Sequence, residues 1–95
     1  MNLEIGNVVV LKVALLGNEI STLGVVYDLY SDFDGNINPG ACIIFKNGYY
    51  DGFSVDEQER FLSIHSFSDN HQNYKFTNVM QLSRDYENGF WNDIF

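Results

Sequence analysis

The chain has 95 residues, with thirteen Asp and Glu against five Lys and Arg, a net charge of −8 and an apolar fraction of 45%. That length holds one domain with its own core, and the composition is that of a soluble globular chain rather than a disordered one. The five cations, Lys12, Lys46, Arg60, Lys75 and Arg84, stand singly. This argues against nucleic acid and anionic membrane as partners and favours a basic protein or peptide surface.

Asn7–Leu15, "NVVVLKVAL", is β-branched and apolar at both parities, which predicts a strand covered on both faces. After a short connection, Leu23–Tyr30 alternates. Leu23, Val25, Tyr27 and Leu29 fall on one face, and Val26, Asp28 and Tyr30 on the other. "DFDGNINPG" is dense in turn formers and predicts a loop. Ala41–Lys46 is a third strand, Asn47-Gly48 a hairpin turn, and "YYDGF" the returning fourth strand.

Ser54-Val55-Asp56-Glu57 reads as a capping box that starts a short helix from Val55 to Leu62. Ser54 is therefore a cap, and the "GFSVD" around it lacks the last glycine of a nucleophile elbow. "SFSDNHQN" reads as a polar loop, and Tyr74–Thr77 as a fifth short strand. Thr77 or Asn78 then caps a second helix whose buried stripe is Val79, Leu82 and Tyr86, stopped at Gly89.

The chain ends "FWNDIF". Phe90, Trp91, Ile94 and Phe95 must be buried somewhere, and both-faced first and third strands need a cover. The tail is expected to fold back across Val8, Val10, Cys42 and Ile44. The rival use of these four side chains is as oligomer contacts, since aromatic anchors dominate interfaces. A monomer is expected over a homodimer.

The order "IGNVVVL", "LGVVYDLY", "ACIIFKNG" resembles the small SH3-like barrels of the Tudor and KOW type. The likeness covers Ile5 to Phe53, with Tyr74–Thr77 as closing strand. It implies an α+β, mostly β fold: a five-stranded SH3-like barrel over about residues 5–77, with a short helix before the last strand. A C-terminal helical lid over about 78–95 completes the single domain. The chain departs from the pattern in that helix, in the appended lid and in lacking a basic surface. Tudor-like members hold methylated lysine or arginine in an aromatic cage, which here implies Tyr30 and Phe33 flanked by Asp28, Asp32 and Asp34, facing Tyr49 and Tyr50.

No enzyme is expected. Aligning Gly35 on a calcium loop places Asp32 and Asp34 well but leaves Tyr30 and Ala41 where a carboxylate and a bidentate glutamate are required. His65 and His71 lie six apart in a polar loop without metal-ligand spacing, and Cys42, the one cysteine, reads as a small core residue. Neither metal nor cofactor is expected. A single cysteine, no basic leader and no span-length apolar run make a cytoplasmic location the expectation.

The functional expectation is a non-catalytic interaction module. It would engage a basic protein, as immunity-type and inhibitor proteins do, through Asp28, Tyr30, Asp32, Phe33, Asp34, Tyr50, Asp51, Asp56 and Glu59. The alternatives are a Tudor-like reader of a cationic or methylated peptide and a structural or oligomeric domain.

Overall fold

The computed structural model describes residues 1–30 and 40–95. Its strands are β1 (Asn7–Leu11), β2 (Leu23–Tyr30), β3 (Gly40–Phe45), β4 (Tyr50–Phe53) and β5 (Leu62–Phe67), and its helices α1 (Val55–Phe61) and α2 (Val79–Glu87). A 3-10 turn covers Asp69–His71. The strands form one five-stranded sheet in the order β4-β3-β2-β1-β5, and every pairing is antiparallel. The fold is thus α+β and mostly strand. The sheet is open: β4 and β5 are its edges, and the expected closure into an SH3-like barrel is not made.

The helix starts are local in origin. Glu57 N–H donates to Ser54 Oγ at 3.3 Å, and Ser54 N–H donates to Glu57 Oε1 at 2.9 Å. This capping box satisfies amides that have no partner inside the helix. Asn78 caps α2 by accepting from Gln81 N–H at 2.8 Å. Asn47-Gly48 makes the β3–β4 turn with Gly48 at φ +90°, a backbone region that favours glycine. The Asn47 side chain also accepts from Asn18 Nδ2 at 3.1 Å and donates to Leu16 C=O at 3.2 Å, tying this hairpin to the turn before β2.

Two cores lie on opposite faces of the sheet. The first contains Leu3, Val9, Leu11, Val26, Ala41, Ile43, Phe45, Phe53 and Leu62, with Leu29 and Phe61 against it. α1 packs beside β5, β4 and β3 and buries Gln58, whose Nε2 donates to Phe53 C=O at 2.9 Å. The second core is Val25, Tyr27, Ile44, Leu82 and Trp91, with Cys42, Tyr74, Phe76, Tyr86, Ile94 and Phe95 around it. β2 and β3 therefore contribute to a core on each side, and the C-terminal segment supplies the second cover. The tail folds back over Ile44 and Cys42 as expected, with Trp91 1% exposed, but the core it joins includes Val25 and Tyr27 of β2 in place of the expected Val8 and Val10 of β1.

Four expectations are corrected. β1 ends at Leu11, four residues early. The last strand is Leu62–Phe67, directly after α1, and Tyr74–Thr77 forms no strand. Tyr74 and Phe76 instead serve the second core by side-chain packing. The α2 stripe holds at Leu82 but fails at Val79, which is 43% exposed. Finally, the register shifts between Val26 and Asp28. This bulge places Tyr27 in the core of Val25 and Ile44 while Asp28 stands opposite Cys42 and Tyr30 opposite Gly40. Simple alternation had put Tyr27 and Tyr30 on opposite faces; an extra residue in one strand brings them to the same one.

Candidate functional site

The sheet gathers part of the expected surface where β2 ends and β3 begins. Tyr30 faces Gly40, and Gly52 lies on the next strand, opposite Cys42. A methyl group on Gly40 would sit 2.0 Å from Tyr30 Cζ, and one on Gly52 3.2 Å from Tyr30 Cε1. The ring therefore lies across a pair of glycines, an arrangement in which an aromatic covers the gap that glycine leaves in a strand. Tyr30 is still 39% exposed and its neighbour Tyr50 44%. These glycines were not singled out in the sequence. The available signal was a strand-interior glycine, which marks a close approach.

Asp28 shares the face of this row, while Asp51 lies on the other face of the edge strand. Asp28 is opposite Cys42 and Asp51 opposite Ile43, with its Oδ1 accepting from Gly52 N–H at 2.8 Å. Their charges are felt at Cys42. Burial pushes the thiol pKa up, and Asp28 and Asp51 push it further, against a hydrogen bond from Tyr27 that lowers it. A thiol so placed is held protonated and is a poor nucleophile. Tyr27 is likewise pushed well above the ordinary tyrosine value, by burial first and then by Cys42, Asp28 and Tyr50. Among the described residues, neither Asp28 nor Asp51 makes an ion pair.

The rest of the expected surface divides. Asp32, Phe33 and Asp34, together with the calcium-loop reading, lie outside the described residues. Asp56 is exposed on the first turn of α1. Glu59 belongs elsewhere: its carboxylate takes the Met1 α-ammonium at 2.8 Å and its carbonyl takes Lys12 Nζ at 2.7 Å. A chain terminus lowers the Glu59 pKa, through its hydrogen bond and then its charge. Of the four aromatic and aliphatic tail residues, Trp91 is enclosed, Ile94 and Phe95 pack on the second core, and Phe90 is 40% exposed.

The histidines separate as well. His65 is exposed, with Nδ1 2.9 Å from Ser66 Oγ. His71, read from sequence as a surface loop residue, is 3% exposed. Its Nε2 lies 2.7 Å from Phe90 C=O, and a carbonyl only accepts, so that nitrogen carries the proton. Nδ1 meets Ser68 Oγ, and the ring packs edge-on to Phe90 at 4.9 Å and stacks toward Trp91 at 6.5 Å. His71 is thus a pin between the 3-10 turn and the tail. Among the described residues no three His, Cys, Asp or Glu side chains are grouped to hold a metal ion, and no helix is long and apolar enough to cross a membrane. No protein-family model, curated protein or solved structure matches the chain.

Proposed function

We propose that the chain is a non-catalytic protein-interaction module that engages cationic side chains of a basic protein or peptide at the face of Asp28, Tyr30 and Tyr50, with Asp51 at the adjoining sheet edge. The observation that carries this reading is the Tyr30 ring laid across Gly40 and Gly52 on the face that it shares with Asp28, an acid without an ion partner among the described residues. Asp51, opposite Ile43, adds its charge from the other face of the edge strand. A cation over such a ring gains from the ring quadrupole and from the Asp28 carboxylate together. The net charge of −8 adds long-range attraction that speeds encounter and weakens with salt. A partner-blocking role of the immunity or inhibitor type fits this chemistry.

Reading of a methylated lysine or arginine is the second form of the same proposal, favoured by the same ring-and-acid pairing. A role as an oligomer-forming domain has less support, because Trp91 is spent within the fold. An SH3-like origin for the four-stranded meander and its fifth strand beside β1 is part of the proposal too. The run Ile5 to Phe53 supports it, with α1 lying beside both edge strands.

The test is calorimetric titration with three short peptides carrying arginine, lysine or trimethyl-lysine. Tyr30→Ala should weaken binding about 2- to 30-fold, the range for one ring–cation contact. Asp28→Lys with Asp51→Lys should abolish it at low salt. Unchanged affinity in both variants would remove the patch from consideration.

A further inference from the structure

The two edges of the sheet are protected unequally. β4 is four residues long and carries Asp51. Phe45 N–H donates to Tyr49 C=O at 2.8 Å, which fixes the alternation of this ladder. Asp51 and Phe53 turn their backbone groups to β3, and Gly52 turns its own outward. The Asp51 carboxylate already occupies that outward N–H. Short length, a charge and an occupied donor are all guards against strand addition.

β5 is built differently. It is six residues, LSIHSF, without a charge, a glycine or a proline. Lys12 N–H donates to Phe61 C=O and Ser68 N–H to Gly6 C=O, each at 2.8 Å. Counting inward from these bonds, Ser63 and Ser66 face β1, while Ile64 and Phe67 turn their N–H and C=O away. Leu62 also points out, but its N–H is taken by Gln58 C=O. The side chains of Ile64 and Phe67 are 52% and 40% exposed. A bulge at His65, where the register shifts, is the guard that remains, and it concentrates pairing at these two residues.

We propose that the β5 edge accepts an extended segment of a partner protein by strand addition, with apolar residues at alternate positions and Lys or Arg at the end beside Phe67. Main-chain bonds at Ile64 and Phe67 supply the affinity, and their side chains the apolar contact. Charge selects this occupant over a second copy, which would bring −8 against −8. Local charges set where the cations go. At the Leu62 end, the Met1 ammonium and Lys12 bind Glu59, and Arg60 offsets Asp56 and Glu57 on α1. At the Phe67 end stand Glu4, whose backbone bonds Asn7, and Asp69, in the 3-10 turn. An antiparallel segment therefore enters with its basic residues first. This surface is on the opposite edge from β4 and does not depend on the Tyr30 patch.

The experiment is amide hydrogen exchange by NMR on the full chain, with the peptide Lys-Lys-Val-Thr-Val-Thr-Val as probe. Its Glu-Glu counterpart and a version N-methylated on the amides that face β5 are the controls. At a free concentration of ten dissociation constants, the Lys-Lys peptide should slow exchange at Ile64 and Phe67 about tenfold. Neither control should do so, and Ile64→Pro, which removes an outward donor, should end the protection. If that variant unfolds, the methylated peptide carries the test. Asp28→Lys with Asp51→Lys should leave the protection intact, so failure of the patch and failure of the edge are told apart. Absence of protection by the Lys-Lys peptide, or equal protection by the Glu-Glu peptide, overturns the proposal. So does slow exchange at both residues in peptide-free protein of doubled mass by light scattering, which would give the edge to a second copy.

Discussion

Trp91→Ala should cost the protein a large part of its stability. The side chain is 1% exposed and lies 5.0 Å from the Tyr74 ring, 4.9 Å from Phe90 and 6.5 Å from His71. Burying a tryptophan removes roughly 200 Å² from water, worth about 5 kcal/mol as an upper figure. Measured truncations of buried Phe and Trp to Ala cost about 3–5 kcal/mol, so the two routes agree. A domain of this length has roughly 5–14 kcal/mol of total stability. The melting temperature should fall by about 12–40 °C at 4–8 °C per kcal/mol. Trp91 is the single tryptophan, so the assay is guanidinium unfolding followed by far-UV circular dichroism, with light scattering alongside. A loss below about 1 kcal/mol would mean that the tail is an attached flap and not half of the core. A dimer in the native protein that this variant dissolves would restore the interface reading of the tail. Trp91→Phe keeps a ring and removes an indole N–H that has no partner among the described residues. It should cost only about 1 kcal/mol.

Gly40→Ala should expel the Tyr30 ring, since the new methyl carbon would fall 2.0 Å from Cζ. Cation-peptide binding should then drop as far as in Tyr30→Ala, and a variant that binds normally would show that the ring position is irrelevant. Ser54→Ala should cost about 1 kcal/mol at neutral pH by opening the capping box. Hydrogen bonds from the Ser54 backbone, which the variant keeps, and from its side chain hold the Glu57 pKa low. Only the side-chain share on the carboxylate is therefore present above the usual glutamate range and lost as pH falls through the lowered value, while the bond from Glu57 N–H to Ser54 Oγ does not titrate. A penalty constant down to acid pH would contradict it. Tyr27 and Tyr74 are pushed above the tyrosine value of 10.0, both mainly by burial, Tyr74 also by its hydrogen bond to Asp85. Their stabilisation is complete below that value and is lost as pH rises toward the folded pKa. In an alkaline absorbance titration these two phenolates should appear only with unfolding, and Tyr74→Phe should lessen the slope. Ionisation of all six tyrosines in folded protein would refute this.

Features set by neighbours in sequence were legible: the Ser54–Glu57 box, the Asn47-Gly48 turn and a cap at Thr77 or Asn78, which the structure gives to Asn78, each need only a few consecutive residues. The cover over the second face was legible too, because apolar strands at both parities demand one and "FWNDIF" was the available material. What depended on pairing was not. Tyr27 and Tyr30 share a face only because β3 leaves one residue of β2 unmatched, and nothing within "LGVVYDLY" reveals it. β5 was hidden because an edge strand needs little burial: beyond Leu62 and the half-buried Ser63 its residues are exposed, so "SIHSF" reads as loop until β1 is laid beside it. Glu59 was misplaced for a similar reason, its partner being the chain terminus 58 residues away.

The same pairing explains why the patch and the tail are mechanically one structure. Asp28 and Tyr30 flank Tyr27 and Cys42 on the second face, and Tyr27 meets Phe76 edge-on at 5.1 Å. Phe76 precedes Asn78, whose side chain starts α2, and α2 reaches back to the β3–β4 turn, where the Tyr86 hydroxyl donates to Lys46 C=O. The Tyr86 ring would lie 3.1 Å from a methyl group on Gly48. The hairpin that carries Tyr50 and Asp51 is therefore clamped at its turn by α2, and at its other end Gly52 lies under Tyr30. A rigid mount of this kind lowers the entropy lost when a cation is taken up. Loosening the tail without unfolding the sheet should therefore weaken binding at the proposed patch.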